Sequence, residues 1–181
     1  QLIAGGSFNN AGNNIAAWSG TAWNSLGLGT NDTVFAATVY NNTLRIGGKF
    51  TTAGGVNCNR LAGWNGTSWF QMPNGVNNGA NNTVYSICVF GADIAIGGIF
   101  TTVGNNQSAN RVVRYNSGSG VYTPLGAGID NNEVRALAVI GSTLYVGGSF
   151  TLVGGVTVNR LARWNGTNWN TVGAGANGTV K

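Results

Sequence analysis

Short apolar runs alternate with clusters of Gly, Asn and Ser along the whole chain. In the last complete unit the runs fall at roughly 134–140, 144–148, 160–165 and 169–173. They are rich in β-branched and aromatic residues, and none shows helical spacing or the length of an ordinary helix. The pattern predicts a nearly all-β chain. The run VRALAVI alternates poorly between apolar and polar positions, as expected of a strand covered on both faces.

The runs repeat. A Gly-Gly pair recurs at 5–6, 47–48, 97–98 and 147–148, spaced by 42, 50 and 50 residues. Around it stand LIAGGSF, LRIGGKF, IAIGGIF and LYVGGSF. Downstream stand IAAWSGTAW, LAGWNGTSW, the degenerate VVRYNSGSGVY and LARWNGTNW. Asn-Gly between two strand-like runs predicts a tight hairpin with a type I′ turn, because both central residues need positive φ. That hairpin sets the two aromatics of each phrase side by side. A unit of about 50 residues with four antiparallel strands and no helix fits the blade of a β-propeller. We read the chain as a single propeller over 1–181, with repeats near 1–32, 33–82, 83–132 and 133–181. It is either complete, at about four blades, or a segment of a longer propeller protein. The first copy is eight residues short and has no Arg before Ile15. The chain opens on a second strand and stops at GTVK, where another first strand begins. Three arrangements suit such ends: closure of the first blade by the C-terminal piece, an oligomer sharing blades, or a longer chain.

LYVGGSFT (144–151), NRLARWNGTNW (159–169) and NTVGAG (170–175) carry a resemblance. They resemble the kelch-type blade and, more closely, kelch-like repeats of secreted and surface proteins, mainly bacterial. The resemblance spans essentially the whole chain. It implies the propeller fold and an adhesive or scaffold module, and it says little of the ligand.

Composition narrows the chemistry. There is no histidine, which removes Ser-His-Asp, Cys-His and most zinc constellations. The acids are Asp32, Asp93, Asp130 and Glu133. A glycosidase would need two of them facing each other across a sugar, and they read instead as solvated loop carboxylates. No D-x-D-x-D spacing supports calcium. We expect a non-enzyme with no cofactor and no metal. The Gly-Gly pairs lack the spacing of a phosphate loop. Cys58 and Cys88 fall at unrelated points of the repeat, and Cys88 reads as a core residue.

The net charge of +5 comes from scattered cations and few acids, not from a basic tract, so nucleic acid is not expected. No apolar run approaches the ~20 residues of a spanning helix, so no membrane insertion is expected. Two sets of residues are ligand candidates. One is the recurring Asn-Arg pair: Asn59 and Arg60, Asn110 and Arg111, Asn159 and Arg160. These suit carboxylates or sugar hydroxyls, or else they bond carbonyls of the adjacent blade. The other is the second aromatic of each phrase: Trp23, Trp69, Tyr122 and Trp169. These would stack on sugars if exposed, or pack between blades. The expected function is an extracellular or cell-surface binding and adhesion module for glycans or another surface polymer. The alternative is a structural subunit of a surface layer, fibre or virion-type assembly, with copies of itself as partners through open sheet edges.

Overall fold

A computed structural model describes residues 1–72 and 78–181. Among the described residues there is no helix. The strands form three four-stranded antiparallel meanders and one three-stranded sheet. The first sheet is Leu2–Gly5, Ile15–Trp18 and Trp23–Ser25. The second is Val34–Tyr40, Thr43–Gly48, Leu61–Trp64 and Trp69–Gln71. The third is Val84–Phe90, Asp93–Gly98, Val112–Asn116 and Val121–Pro124. The fourth is Val134–Ile140, Thr143–Gly148, Leu161–Trp164 and Trp169–Thr171. These are the blades of an all-β propeller of about four blades.

The core is not one cluster but three, each at a junction between consecutive blades. Ile15, Ala17 and Leu26 meet Leu44, Ile46 and Trp69. Leu61 and Met72 meet Ile94, Val113 and Tyr122. Val112 and Leu125 meet Leu144, Val146, Trp164 and Trp169. The Gly-Gly pairs are the price of this close stacking. A Cβ on Gly47 would lie 2.4 Å from Val84 Cγ1, and one on Gly97 would lie 2.4 Å from Val134 Cγ1. Only glycine lets the first strand of the next blade approach so near.

Turn chemistry differs from the sequence expectation. The Asn-Gly phrase is a four-residue loop, not a two-residue type I′ turn. Trp64 pairs with Trp69, and Asn65 Oδ1 accepts from the Thr67 and Ser68 amides. The aromatics do meet, at ring centroids of 5.1 Å in Trp64–Trp69 and 5.2 Å in Trp164–Trp169. The two-residue turn with both φ positive lies elsewhere, at Asn41 and Asn42 between the first two strands of the second blade. Poor alternation in VRALAVI also has another cause. The register slips between Val134 and Ala136, so Arg135 sits in a β-bulge.

The eight residues missing from the first repeat correspond to a small hairpin. In the other three it is Thr52–Ala53 with Val56–Asn57, Thr102–Val103 with Gln107–Ser108, and Leu152–Val153 with Val156–Thr157. Each hairpin bridges back to the preceding blade, at Thr30–Ala53, Ala80–Val103 and Ile129–Val153. Val180 donates its amide to the Gly148 carbonyl, as Val34 donates to Gly6. The C-terminal piece thus lies on the fourth blade and does not complete the first. Among the described residues no hydrogen bond joins the first sheet to the fourth.

Candidate functional site

The Asn-Arg pairs immediately precede the third strand of their blades, and all their residues but Asn159 have left-handed backbone. Asn59 and Arg60 have φ of 39° and 69°, Asn110 and Arg111 of 32° and 69°, and Arg160 of 62°. Asn tolerates that region and Arg does so at a cost. Their side chains hold the turn in place. Asn59, Asn110 and Asn159 donate Nδ2 to the carbonyls of Asn78, Ala127 and Ala174, at 3.1, 2.8 and 2.8 Å. Arg60, Arg111 and Arg160 donate to the carbonyls of Ala80, Ile129 and Ala176, at 3.2, 2.8 and 3.1 Å. The acceptors all lie where the chain leaves one blade for the next. Asn13 and Asn14 do the same work in the first repeat, bonding the carbonyls of Leu28 and Thr30. These donors are engaged by the fold itself, although Asn59 and Arg60 also line a polar cleft with Asn81, Thr102 and Asn106.

The aromatic set divides. Trp69, Tyr122 and Trp169 are buried, so they offer no face to a ligand. Trp69 and Trp169 donate Nε1–H to the carbonyls of Leu26 and Leu125, both at 2.8 Å. The Tyr122 hydroxyl donates to the Met72 carbonyl at 2.7 Å. Each acceptor follows the outer strand of the preceding blade. Trp23 alone of the set is open, at 41% exposure, in tilted contact with Trp18 at 5.4 Å.

The acids are dispersed and individually engaged. Asp32 caps the Thr33 amide, and Asp130 accepts from the Gly155 amide at 3.1 Å. Glu133 pairs with Arg135 at 2.8 Å, and Asp93 with Arg114 at 2.9 Å. Among the described residues no cluster of His, Cys, Asp and Glu is suited to a metal. Both cysteines are free, and burial pushes each thiol up to about 11.

One surface feature was not anticipated. The bulge seen at Arg135 recurs at the same point of the first strand in two other blades. The register slips between Val34 and Ala36 and between Val84 and Ser86. The bulged residues are Phe35, Tyr85 and Arg135. A bulge turns its side chain out of the regular alternation, and here it lines the three up across the blades. Phe35 and Tyr85 lie 5.3 Å apart, tilted by 54°. The Arg135 guanidinium sits 4.7 Å from the Tyr85 centroid, and Lys49 Nζ sits 6.0 Å from Phe35. Phe35 is 44% exposed. The Glu133 hydrogen bond raises the Arg135 pKa, so the cation is held firmly. The signal in the sequence was the second residue of VFAATVY, VYSICVF and VRALAVI, large where its neighbours are small.

Two stretches, 93–120 and 143–167, match the model of a family described as "Domain of unknown function (DUF5122) beta-propeller". No curated protein matches the chain. Among solved structures it is similar to the crystal structure of the computationally designed Ika8 protein, with a TM-score of 0.58 and 13% sequence identity. That match covers 98% of this chain and 51% of the designed one, so the chain spans about half the length of that protein. The likeness is one of fold.

Proposed function

We propose that this propeller is a non-catalytic binding module that holds an extended glycan along the row Lys49, Phe35, Tyr85 and Arg135. The single observation that carries the reading is the aromatic pair of exposed Phe35 and half-buried Tyr85, flanked by two cations. An aromatic face suits the C–H face of a sugar ring, and a cation beside it suits a sugar carboxylate or hydroxyl. Two aromatics and a cation in a row across three blades would match a repeating polymer, and a net charge of +5 favours an acidic one. The separate engagement of the four acids supports a binder over a hydrolase. The kelch-like phrases support the extracellular or surface setting in which such a polymer is met.

The test compares an oligouronate with a neutral hexose oligomer of the same length, by calorimetry at low and moderate salt. The reading expects tighter binding of the oligouronate, weakened by salt. Phe35→Ala and Tyr85→Ala should each weaken it by about tenfold or more, as loss of a desolvated ring contact costs on the order of 1–2 kcal/mol. Retention of affinity in both variants, with unchanged circular dichroism, would place any glycan site elsewhere.

A further inference from the structure

The row of Lys49, Phe35, Tyr85 and Arg135 is charged differently at its two ends, and the repeat shows how. Each blade supplies three positions to it: the bulged residue, the residue two before the bulge, and the residue after the Gly-Gly pair. In the second blade these are Phe35, Thr33 and Lys49. In the third they are Tyr85, Thr83 and Ile99, and in the fourth Arg135, Glu133 and Ser149. One backbone bond holds each set together. The amides of Lys49, Ile99 and Ser149 donate to the carbonyls of Thr33, Thr83 and Glu133, at 2.9, 3.0 and 3.2 Å. The second blade thus brings a cation alone, the third no charge, and the fourth a cation with an acid.

At the fourth blade the charge cancels. Arg135 Nε bonds Glu133 Oε1 at 2.8 Å, and both side chains keep some exposure, 34% and 21%. Among the described residues the guanidinium Nη groups and Glu133 Oε2 have no hydrogen-bond partner. This end offers N–H donors beside a carboxylate acceptor, with no net charge. Such a pair fits neighbouring hydroxyls of a neutral sugar, each of which can donate and accept. A sugar carboxylate would meet Glu133 there as a like charge. At the second blade the charge does not cancel. Lys49 is exposed, and among the described residues its ammonium pairs with no carboxylate. Asp32, the acid nearest Phe35 in sequence, is turned back on its own loop. Its Oδ1 accepts from the Thr33 amide at 2.6 Å and the Thr33 hydroxyl at 3.1 Å. A free ammonium 6.0 Å from the centre of an exposed ring fits a sugar that lies on Phe35 and turns its carboxylate to Lys49.

We propose that the row is directional and selects a polysaccharide in which uronate and neutral units alternate. The uronate lies on Phe35 with its carboxylate at Lys49. The adjoining neutral unit lies on Tyr85 with its hydroxyls at the Arg135–Glu133 pair. This names the substrate class of the glycan site proposed above and rests on that reading. The Phe35 and Tyr85 centroids are 5.3 Å apart, close to the length of one sugar unit in an extended chain, so adjoining units take adjoining rings. A homopolymer of uronate seated on Phe35 brings its next carboxylate to Glu133. That repulsion is the source of the selectivity.

Calorimetry on the full chain tests it with three hexasaccharides: one alternating uronate with N-acetylhexosamine, one all uronate, and one all neutral hexose. The alternating ligand should bind about tenfold or more tighter than hexauronate, although it carries fewer charges, because it keeps a carboxylate away from Glu133. The neutral ligand should bind most weakly. Glu133→Gln, with an unchanged circular dichroism spectrum, should raise the affinity for hexauronate and narrow the difference to about threefold or less. Lys49→Gln should weaken both acidic ligands by about tenfold and flatten their salt dependence. Hexauronate binding the unaltered chain as tightly as the alternating ligand would overturn the proposal. So would a ratio that Glu133→Gln leaves in place. In either case, loss of binding in Phe35→Ala would leave the glycan reading standing. Failure of all three ligands to bind would overturn both.

Discussion

At the residue scale, Arg45 is buried with no carboxylate partner. Its guanidinium lies 4.9 Å from the Phe70 centroid, and Nε has no hydrogen-bond partner. Burial lowers its pKa, against small opposing effects of Tyr115 and Tyr40. A buried cation so poorly compensated stabilises little or nothing. Arg45→Met, which keeps the stem and drops the charge, should leave the melting temperature unchanged or raise it. A loss of more than about 2 kcal/mol, the scale of a broken buried pair, would show that the guanidinium is compensated after all. The thiols make a second case. Their folded pKa of about 11 exceeds that of the unfolded chain, near about 8.5. The unfolded state therefore ionises first as pH rises. Stability from this source is fully present below about pH 8.5 and is lost toward about 11. Burial raises the Tyr122 hydroxyl well above its ordinary value, which acts in the same direction. Urea midpoints should hold through neutrality and fall in alkali, and Cys58→Ala should flatten the first part of that fall. A midpoint that rises in alkali would contradict this.

At the element scale, the strands were legible because each apolar run is short and closed by Gly or Asn. The last unit was placed within a residue or two at most boundaries. The two-residue strands of the small hairpins were not seen, because a pair such as Thr52–Ala53 carries no periodicity. The loop at Asn165-Gly166 is longer than the type I′ turn that the pair predicts. The Asn165 side chain takes the loop amides itself, which a longer loop permits and a type I′ turn does not need. Of the candidate site, the Asn-Arg pairs were legible as a recurring feature, and their side chains bond carbonyls at the blade exits. The row of Phe35, Tyr85 and Arg135 was hidden, because a bulge cannot be told from an imperfect alternation in a strand that is apolar on both faces. The Gly-Gly pairs allow a sharp check on the stacking. Gly97→Ala should destabilise the protein by about 1–3 kcal/mol, since its methyl would overlap Val134 and the next blade must move. Gly141→Ala, at a turn where a Cβ meets nothing but φ is 59°, should cost about 1 kcal/mol from backbone strain alone. Equal costs in a denaturant titration would count against close blade contact as the reason for glycine at 97.

At the scale of the whole molecule, one repeated junction accounts for the core and for the burial of Trp69 and Trp169. Trp69 and Trp169 are buried because each reaches the blade before its own, a contact that Trp23 does not make among the described residues. The ligand surface is separate from this logic, since the bulged residues leave the regular strand alternation while the tryptophans fill the junctions. The account therefore assigns glycan contact to the row and blade contact to the tryptophans. The most direct test is the ring-proton spectrum of the protein during titration with the oligouronate. The Phe35 and Tyr85 resonances should shift first and together, with those of Trp18 and Trp23 unmoved. Shifts confined to Trp18 and Trp23, with the row unmoved, would contradict the assignment.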